Sequence, residues 1–237
     1  MSKTYFQFKQ FGVRQERAAM KISIDGVLLG ATAGKGFPKN VLEIGVGTGV
    51  VTLMMAQRFA TAQFTGVEID QDAWLEASEN ADQSPWSDRI DFVHQRFQDF
   101  FPVCQQKFDL IVSNPPYFQD HLKTKDVKRN LALHLTGLSF SELLEGVVKL
   151  LGQRGEFCVI LPEIQMEIFE NEAASIGLFS QHKLIVKYRP GKPVLRVVAS
   201  FSSGSKKTSS EEIVIRDEIG KYSEGYSHLL RDFLLIF

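Results

Sequence analysis

The residues best suited to chemistry in this sequence are Asn114 and Tyr117, which stand in an Asn-Pro-Pro-Tyr run at positions 114–117. The carboxamide oxygen of Asn114 and the backbone carbonyl of Pro115 are hydrogen-bond acceptors that suit a planar –NH2 group. The ring of Tyr117 can stack on the flat system that carries such a group. An ordinary turn that opens with Asn is the simpler explanation of the run taken alone, so its chemistry depends on the rest of the chain.

A short apolar stretch leads into this run. Residues Leu110–Ser113, with Phe108 ahead of them, have the pattern of a buried strand. The strand must stop at the prolines, because proline cannot donate a hydrogen bond to a sheet. Ligands of open α/β sheets bind at the carboxyl ends of the strands. We therefore predict that Asn114 projects from a strand end where a ligand binds.

A second candidate site lies about seventy residues upstream, where an apolar strand runs into the alternate glycines Gly45, Gly47 and Gly49 and then into a helical pattern. Glycines permit a tight turn and let a ligand approach the backbone closely. The dinucleotide fingerprint G-x-G-x-x-G is not met, and no Gly-Lys-Ser/Thr follows that would make a phosphate-binding P-loop. What remains is an acid-x-G-x-G-x-G turn that opens with Glu43.

Glu68 ends the next predicted strand, Gln63–Glu68, about 20 residues beyond the glycine turn, where an acid holds ribose hydroxyls in Rossmann-like sites. The nearby Asp70 and Asp72 are better suited to capping a helix over Ala73–Ala81. The strand Ile90–His94 follows that helix.

The order of the elements predicts the fold class. Strands alternate with helices as far as residue 177, and two antiparallel strands joined by a Pro/Gly turn follow. This order predicts an α/β, doubly wound and mostly parallel sheet with an antiparallel C-terminal end. The later predicted elements are a helix at Phe140–Leu151, a strand at Gly155–Pro162, a helix at Ile164–Ala174, strands at Lys183–Lys187 and Val194–Ser202, a short extended piece at Ile213–Ile215 and a closing helix at Tyr222–Phe237. The helix at Phe140–Leu151 carries an apolar core stripe of Leu143, Leu144, Val147, Val148 and Leu151.

Composition limits the class of protein. The 237 residues suffice for a single domain, which we expect to consist of an N-terminal arm at 1–35 and a main body at 36–237. The arm is either a lid over a pocket or a simple cover for the sheet. The formal net charge of −1 gives no overall attraction to nucleic acid, so a polyanion must meet a local basic patch.

Two cysteines, Cys104 and Cys158, lack metal-binding or redox spacing. This usage fits a reducing cytoplasm and predicts no metal cofactor. No run approaches the roughly 18 apolar residues of a membrane span, so we expect no membrane association.

Taken in order, the glycine turn opened by Glu43, the acid Glu68 and the run at 114–117 resemble the class I S-adenosylmethionine-dependent methyltransferases that act on planar amino groups. The resemblance covers about residues 38–202 and implies a seven-stranded Rossmann-like sheet with S-adenosylmethionine as cofactor. It places Gly45, Gly47 and Gly49 under the amino-acid part of the cofactor, Glu68 on the ribose and Asn114 between cofactor and substrate. Such enzymes often carry an acid after the third strand to contact adenine. Phe97 stands there instead, which leaves backbone groups of Phe97 and Gln98, or the Asp99 carboxylate.

Stretches near the N-terminus, in the middle and near the C-terminus of the chain resemble a narrower group, the bacterial methyltransferases that modify N6 of adenine-37 in valine tRNA. The stretches that carry this resemblance are Phe8–Val13, Arg17–Lys21, Asp25–Ala31, Gln83–Trp86 and Tyr222–Glu224. It implies an enzyme acting on a tRNA anticodon arm, and we expect the protein to be a monomer. Basic residues after the Asn-Pro-Pro-Tyr run are candidates for phosphate contacts, although charge runs are also common on solvated faces: Lys123, Lys125, Lys128 and Arg129.

Two alternatives stay open. A methyltransferase that modifies a glutamine amide of a release factor would use the same acceptors, although its relatives carry an N-terminal helical domain for which residues 1–35 are too short. A protein that binds a cofactor or RNA without catalysis would need neither Asn114 nor Tyr117.

Overall fold

The centre of the molecule, as a computed structural model describes it for residues 4–115, 137–204 and 208–237, is one sheet of eight strands. Two strands of the N-terminal arm, described below, precede those of the sheet in the chain. The strands of the sheet are β3 (Asn40–Ile44), β4 (Gln63–Glu68), β5 (Ile90–His94), β6 (Phe108–Ser113), β7 (Leu151–Leu161), β8 (Phe179–Lys187), β9 (Val194–Ser202) and β10 (Ser209–Val214). Across the sheet they lie in the order β10, β8, β9, β7, β6, β3, β4, β5. The pairs from β7 through β6, β3 and β4 to β5 are all parallel, and β9 is antiparallel to both β7 and β8.

The predicted fold class is confirmed, and the sheet has one strand more than the seven expected. The extra strand, β10, pairs in parallel with β8 at the edge, from Ser209 opposite His182 to Val214 opposite Lys187. Its first four residues, Ser-Ser-Glu-Glu, are exposed. A polar edge strand of this kind lacks the apolar alternation from which strands are predicted.

Seven α-helices flank the sheet in the described part of the chain. They are α1 (Ile24–Thr32), α2 (Val50–Arg58), α3 (Gln71–Asp82), α4 (Phe97–Val103), α5 (Phe140–Leu150), α6 (Glu163–Ser175) and α7 (Glu224–Leu230), with a short 3-10 helix at Ser87–Arg89. As predicted, Asp70 caps α3, because its side chain accepts a hydrogen bond from the amide of Ala73 at 2.8 Å. No helix within the described ranges is long and apolar enough to cross a membrane.

Three helices differ from what the sequence predicts. The closing helix ends at Leu230 and does not reach Phe237, because the chain turns there and buries Phe233. The carbonyl of Phe233 accepts a hydrogen bond from the amide of Lys9. The helix α4 was not predicted, since it is short and contains Pro102. In the expected core stripe of α5, Val148 is 46 % exposed and Leu151 begins β7.

The sheet separates two hydrophobic layers, and alternate residues of the buried strands face each of them. On β6, Leu110 and Val112 pack in the layer under α1, α2 and α7, whereas Ile111 packs in the layer under α4, α5 and α6. Each of these three residues is at most 1 % exposed, as expected for a parallel strand that is covered on both faces.

The N-terminal arm joins the first of these layers. Its strands β1 (Tyr5–Gln7) and β2 (Gly12–Arg14) form an antiparallel hairpin, and the buried Phe8 and Phe11 stack with ring centroids 4.5 Å apart. Phe11 also meets Trp86 edge to face at 5.6 Å. The hairpin therefore packs as part of the core.

Beyond the hairpin, two buried polar side chains of α3 hold the arm. Glu76 is 1 % exposed, and its carboxylate accepts hydrogen bonds from the amides of Glu16, Arg17 and Ala18. Asn80 is 2 % exposed; it accepts from the amide of Arg14 at 2.8 Å and donates to the carbonyls of Arg14 and Thr48. Asn80 therefore links the arm to the turn that follows β3.

We expect Glu76→Ala to lower the free energy of unfolding by about 3 kcal/mol, because it removes three charge-assisted hydrogen bonds and leaves their donors unpaired. Glu79→Ala is the matched control, since Glu79 lies on the same helix and forms only a half-exposed ion pair with Arg17. That variant should lose less than about 1 kcal/mol. Urea unfolding of both variants measures the difference, and similar losses would contradict the anchoring role of Glu76.

Candidate active site

A cavity of about 270 Å³ opens where the carboxyl ends of β3 and β6 meet. The strand order reverses here, because β3 is flanked by β4 on one side and by β6 on the other. Three parts of the chain form its walls: the stretch between β2 and the start of α1, the turn after β3, and the end of β6. Five residues singled out from the sequence line it: Glu43, Gly45, Gly47, Asn114 and Pro115.

The glycine turn exposes bare backbone to this cavity. Gly45, Gly47 and Gly49 have φ angles of 78°, 57° and 80°, a region that favours glycine. A Cβ atom added at Gly45 or Gly47 would meet no described atom within 4 Å, whereas one at Gly49 would lie 3.4 Å from the Cβ of Ala77. Gly45 and Gly47 therefore leave room for a ligand, and Gly49, which does not line the cavity, lets α2 begin close to α3.

Glu68 lies behind this turn and is 8 % exposed. One carboxylate oxygen accepts a hydrogen bond from the amide of Gly47 at 2.9 Å, and the other accepts from the amide of Asp70 at 2.9 Å. Each oxygen keeps acceptor capacity for a further donor. Glu68 thus fixes the shape of the turn while it retains the capacity to accept from a ligand.

Glu43 is 2 % exposed, and one of its oxygens accepts hydrogen bonds from both the amide and the hydroxyl of Thr52. Burial raises the pKa of this carboxyl to about 8; the bonds from Thr52 oppose the rise and the charge of Glu68 adds to it. Glu43 therefore ties β3 to α2 and is mostly protonated at neutral pH.

This raised pKa predicts a pH effect on stability. The ordinary pKa of a glutamate is 4.5, and that of Glu43 in the folded protein is about 8. Between these two pH values the folded protein keeps the Glu43 proton and the unfolded chain releases it. The stability from Glu43 is thus fully present below pH 4.5 and is lost as the pH rises through about 8. The side chain of Glu43→Gln does not titrate. The free energy of unfolding of this variant, relative to that of the unmodified protein, should therefore rise by up to about 1.4 kcal/mol for each pH unit in this range. Urea unfolding at pH 5, 7 and 9 measures this gain, and a difference that is constant with pH would contradict it.

The two residues predicted near the cofactor adenine lie at the start of α4. The ring of Phe97 is 5 % exposed and packs against Phe101, with centroids 5.4 Å apart. It also fills the space over Gly146, where a Cβ atom would lie 2.3 Å from the ring. Any contact from Phe97 to a ligand must therefore come from its backbone. Gln98 is half-buried and Asp99 is exposed in the same helical turn.

Asn114 follows β6 directly and is half-buried. The strand end is fixed by Ser113, which is 1 % exposed and whose hydroxyl donates to the carbonyl of Ile44 at 2.9 Å. Tyr117 and the candidate phosphate contacts Lys123, Lys125, Lys128 and Arg129 lie outside the described residues.

Comparison with known proteins gives a family for this arrangement. A family model described as a methyltransferase domain matches residues 41–136. A tRNA1(Val) (adenine(37)-N6)-methyltransferase of Bacteroides fragilis is 42 % identical over 236 residues, which cover 99 % of each chain. The protein of the same name from Photorhabdus laumondii is 40 % identical over 233 residues and covers 98 % of this chain and 96 % of its own. The chain belongs to the tRNA1(Val) (adenine(37)-N6)-methyltransferase family.

A solved structure supports the fold of this family member. A predicted O-methyltransferase from Agrobacterium tumefaciens superposes with a TM-score of 0.69 over 88 % of this chain and 96 % of its own. The identity is 16 %, so the likeness concerns the methyltransferase fold alone.

The cofactor of this methyltransferase is S-adenosylmethionine, and the described residues fit it. The space over Gly45 and Gly47 can receive the cofactor, and Glu68 beside the turn can accept hydrogen bonds. Asn114 lines the same cavity.

Asp25 also lines this cavity, and its sequence pattern does not identify it as part of the site. Asp25 and Gly26 lie in the first turn of α1, which Ser23 caps by accepting from the amide of Gly26 at 3.3 Å. Asp25 is 6 % exposed and forms an ion pair with Arg196 of β9, with 2.7 Å between carboxylate oxygen and Nε. The available signal in the sequence is an acid two residues before the apolar run Val27–Ala31.

Proposed function

We propose that this protein transfers a methyl group from S-adenosylmethionine to N6 of an adenine in tRNA, adenine-37 in the anticodon loop of valine tRNA. The observation that carries the proposal is that Asn114 and Pro115 share a cavity with the glycine turn of the methyltransferase fold. The full-length similarity to relatives that carry this activity in their name supports the choice of substrate.

The amino nitrogen of adenine is a poor nucleophile, because its lone pair is delocalised into the ring. We propose that the Asn114 side-chain oxygen and the Pro115 carbonyl each accept a hydrogen bond from this group. Those bonds favour a pyramidal nitrogen whose lone pair is directed away from the two acceptors. The bound cofactor supplies an electrophilic methyl group on a sulfonium, and the walls of the cavity hold the nitrogen in line with it, which removes much of the entropic barrier.

The chain needs no strong general base for this reaction, because the nitrogen becomes acidic once it carries the methyl group. Asn114 is therefore proposed as an acceptor that orients and polarises the amino group. This role requires an acceptor oxygen close to the cavity, and the proposal is supported by Asn114 being one of the residues that line it.

The target base must leave the stack of its neighbours to reach the cavity. Loop bases are unstacked at low cost, which favours an anticodon loop over a duplex. We propose that Tyr117 stacks on the extruded base and that Lys123, Lys125, Lys128 and Arg129 contact phosphates of the anticodon arm. Because the formal net charge is −1, such local contacts must supply the attraction, and binding should weaken steeply with added salt.

Methyl transfer from labelled S-adenosylmethionine tests this function. Valine tRNA transcripts with adenine or guanine at position 37 and a release factor are offered side by side, and labelled nucleosides are identified by mass spectrometry. We expect N6-methyladenosine from the adenine-37 transcript alone. Label in the release factor with none in tRNA would replace this function by glutamine methylation, and equal label in both transcripts would reject position 37.

We further propose that the enzyme acts as a monomer in the cytoplasm. Its two cysteines, Cys104 and Cys158, are not joined in a disulfide, which is the usual state of thiols in that compartment.

A further inference from the structure

A buried carboxylate oxygen without a partner lies on the wall of the cavity. Asp25 belongs to the first turn of α1 and is 6 % exposed. Its Oδ2 atom accepts from Nε of Arg196 at 2.7 Å, while its Oδ1 atom is buried and has no hydrogen-bond partner among the described residues. Asp25 also lines the cavity between the glycine turn and Asn114.

A hydrogen-bond donor would stabilise a buried carboxylate oxygen of this kind. Leaving a buried acceptor unsatisfied is costly, and more so for a charged group, so such atoms usually have a ligand or partner. The guanidinium of Arg196 already compensates the charge of the carboxylate but occupies only one of its oxygens. A ligand group that satisfies Oδ1 must therefore donate hydrogen bonds, and Asp25 lines the cavity from which a ligand would approach.

The position of Asp25 selects one part of the cofactor. Glu68 accepts a hydrogen bond from the amide of Gly47 behind the glycine turn, where the ribose is expected, and Asn114 lines the cavity where methyl transfer is proposed. Gly45 and Gly47, which are expected under the amino-acid portion, line the same cavity as Asp25, so this portion is the part of the cofactor nearest to Asp25. That portion carries a carboxylate, which cannot donate, and an ammonium group with three donors.

Glu43 is the other acid among the described residues that line the cavity, and it is less suited to this task. One of its oxygens is already bonded to the amide and the hydroxyl of Thr52. Burial raises its pKa to about 8, so at neutral pH it is mostly an uncharged acid. Asp25 has the ion pair with Arg196 that Glu43 lacks.

We infer that Asp25 binds the ammonium group of the cofactor through Oδ1 and thereby selects ligands that carry the complete amino-acid portion. This inference rests on the proposed function, since it takes S-adenosylmethionine as the cofactor. Arg196 is a positioning residue in this account, because it orients and charge-compensates Asp25.

Calorimetric binding of two ligands tests the contact directly. The ligands are S-adenosylhomocysteine and its analogue that lacks only the amino group. The unmodified protein should bind S-adenosylhomocysteine about 10 to 100 times more tightly than the analogue, and Asp25→Asn should bind the two with nearly equal affinity. This comparison is a double-mutant cycle between one side chain and one ligand group.

Two controls separate contact from folding. Asp109→Asn alters an acid that accepts from the amides of Lys39 and Asn40 at the opposite end of the sheet, so its ligand preference should match that of the unmodified protein. Methylthioadenosine, which lacks the whole amino-acid portion, should bind Asp25→Asn as well as it binds the unmodified protein. Retained binding of this ligand would establish that the variant keeps its nucleoside site.

Three results would overturn the inference. If Asp25→Asn weakened both ligands by the same factor, Asp25 would act only through the packing of α1 on Arg196. If it left the preference for S-adenosylhomocysteine unchanged, the ammonium would bind elsewhere. In both cases the proposed function would stand. Failure of the unmodified protein to bind S-adenosylhomocysteine at all would overturn the cofactor assignment and this inference together.

Discussion

We expect Asn114→Ala to lower kcat by about 10² to 10³, the usual effect of removing one hydrogen-bonding group that stabilises a transition state. The proposed bond from the adenine amino group to the Asn114 oxygen strengthens as the nitrogen becomes pyramidal. Its loss therefore raises the barrier more than it weakens the ground-state complex. Affinity for S-adenosylhomocysteine should stay within about threefold of that of the unmodified protein, a change below about 1 kcal/mol. Single-turnover methyl transfer to tRNA and calorimetry measure the two quantities separately.

Two further variants sharpen this result. Asn114→Asp keeps an acceptor at the same position, so its rate should lie above that of Asn114→Ala. Asn40→Ala removes the same side chain at the amino end of β3, far along the strand from the cavity, and should leave kcat unchanged. If Asn114→Ala kept most of its single-turnover rate, the acceptor role would be wrong. A parallel loss of cofactor affinity would instead assign Asn114 to cofactor binding.

The part of this site that sequence predicted is the part that strand ends bring together. The register of parallel strands places Ile44 of β3 beside Ser113 of β6, so the residues that follow each strand must meet at one edge. Because the two strands are short apolar runs ended by glycines and prolines, both their positions and their last residues could be predicted. Glu68 follows from the same rule, since β4 has the predicted bounds.

The part that sequence missed depends on distant partners. Asp25 becomes a buried acid only because Arg196, 171 residues later, reaches it from β9. Glu76 and Asn80 have the composition of an exposed helix face, yet the arm covers them and uses their side chains as hydrogen-bond partners. The edge strand β10 begins with the polar residues Ser209–Glu212, so the sequence predicts only its apolar end, Ile213 and Val214, as extended. The helix α4 has apolar residues at helical spacing, but it spans only seven residues and contains Pro102, which disfavours the prediction of a helix.

The second large effect concerns Glu68. We expect Glu68→Ala to weaken S-adenosylhomocysteine binding by about 10- to 100-fold, the equivalent of about 1.5–3 kcal/mol for hydrogen bonds to a charged group. Two losses contribute: the proposed bonds from the ribose hydroxyls, and the bond from the amide of Gly47 that holds the glycine turn. Asp72→Ala is the control, since Asp72 is an exposed acid in the first turn of α3.

A second ligand separates these two losses. If Glu68 binds the ribose directly, the unmodified protein should prefer S-adenosylhomocysteine over its 2′-deoxy analogue, and Glu68→Ala should lose that preference. If Glu68 acts only by shaping the turn through Gly47, both ligands should weaken by the same factor and the preference should persist. Glu68→Gln should not restore tight binding under either account. Its amide offers one acceptor in place of two, and its –NH2 group must then face the backbone amide of Gly47 or of Asp70, donor against donor. Unchanged affinity in Glu68→Ala would remove this residue from the cofactor site and leave the glycine turn to be held by the bond from the amide of Gly45 to the carbonyl of Val67.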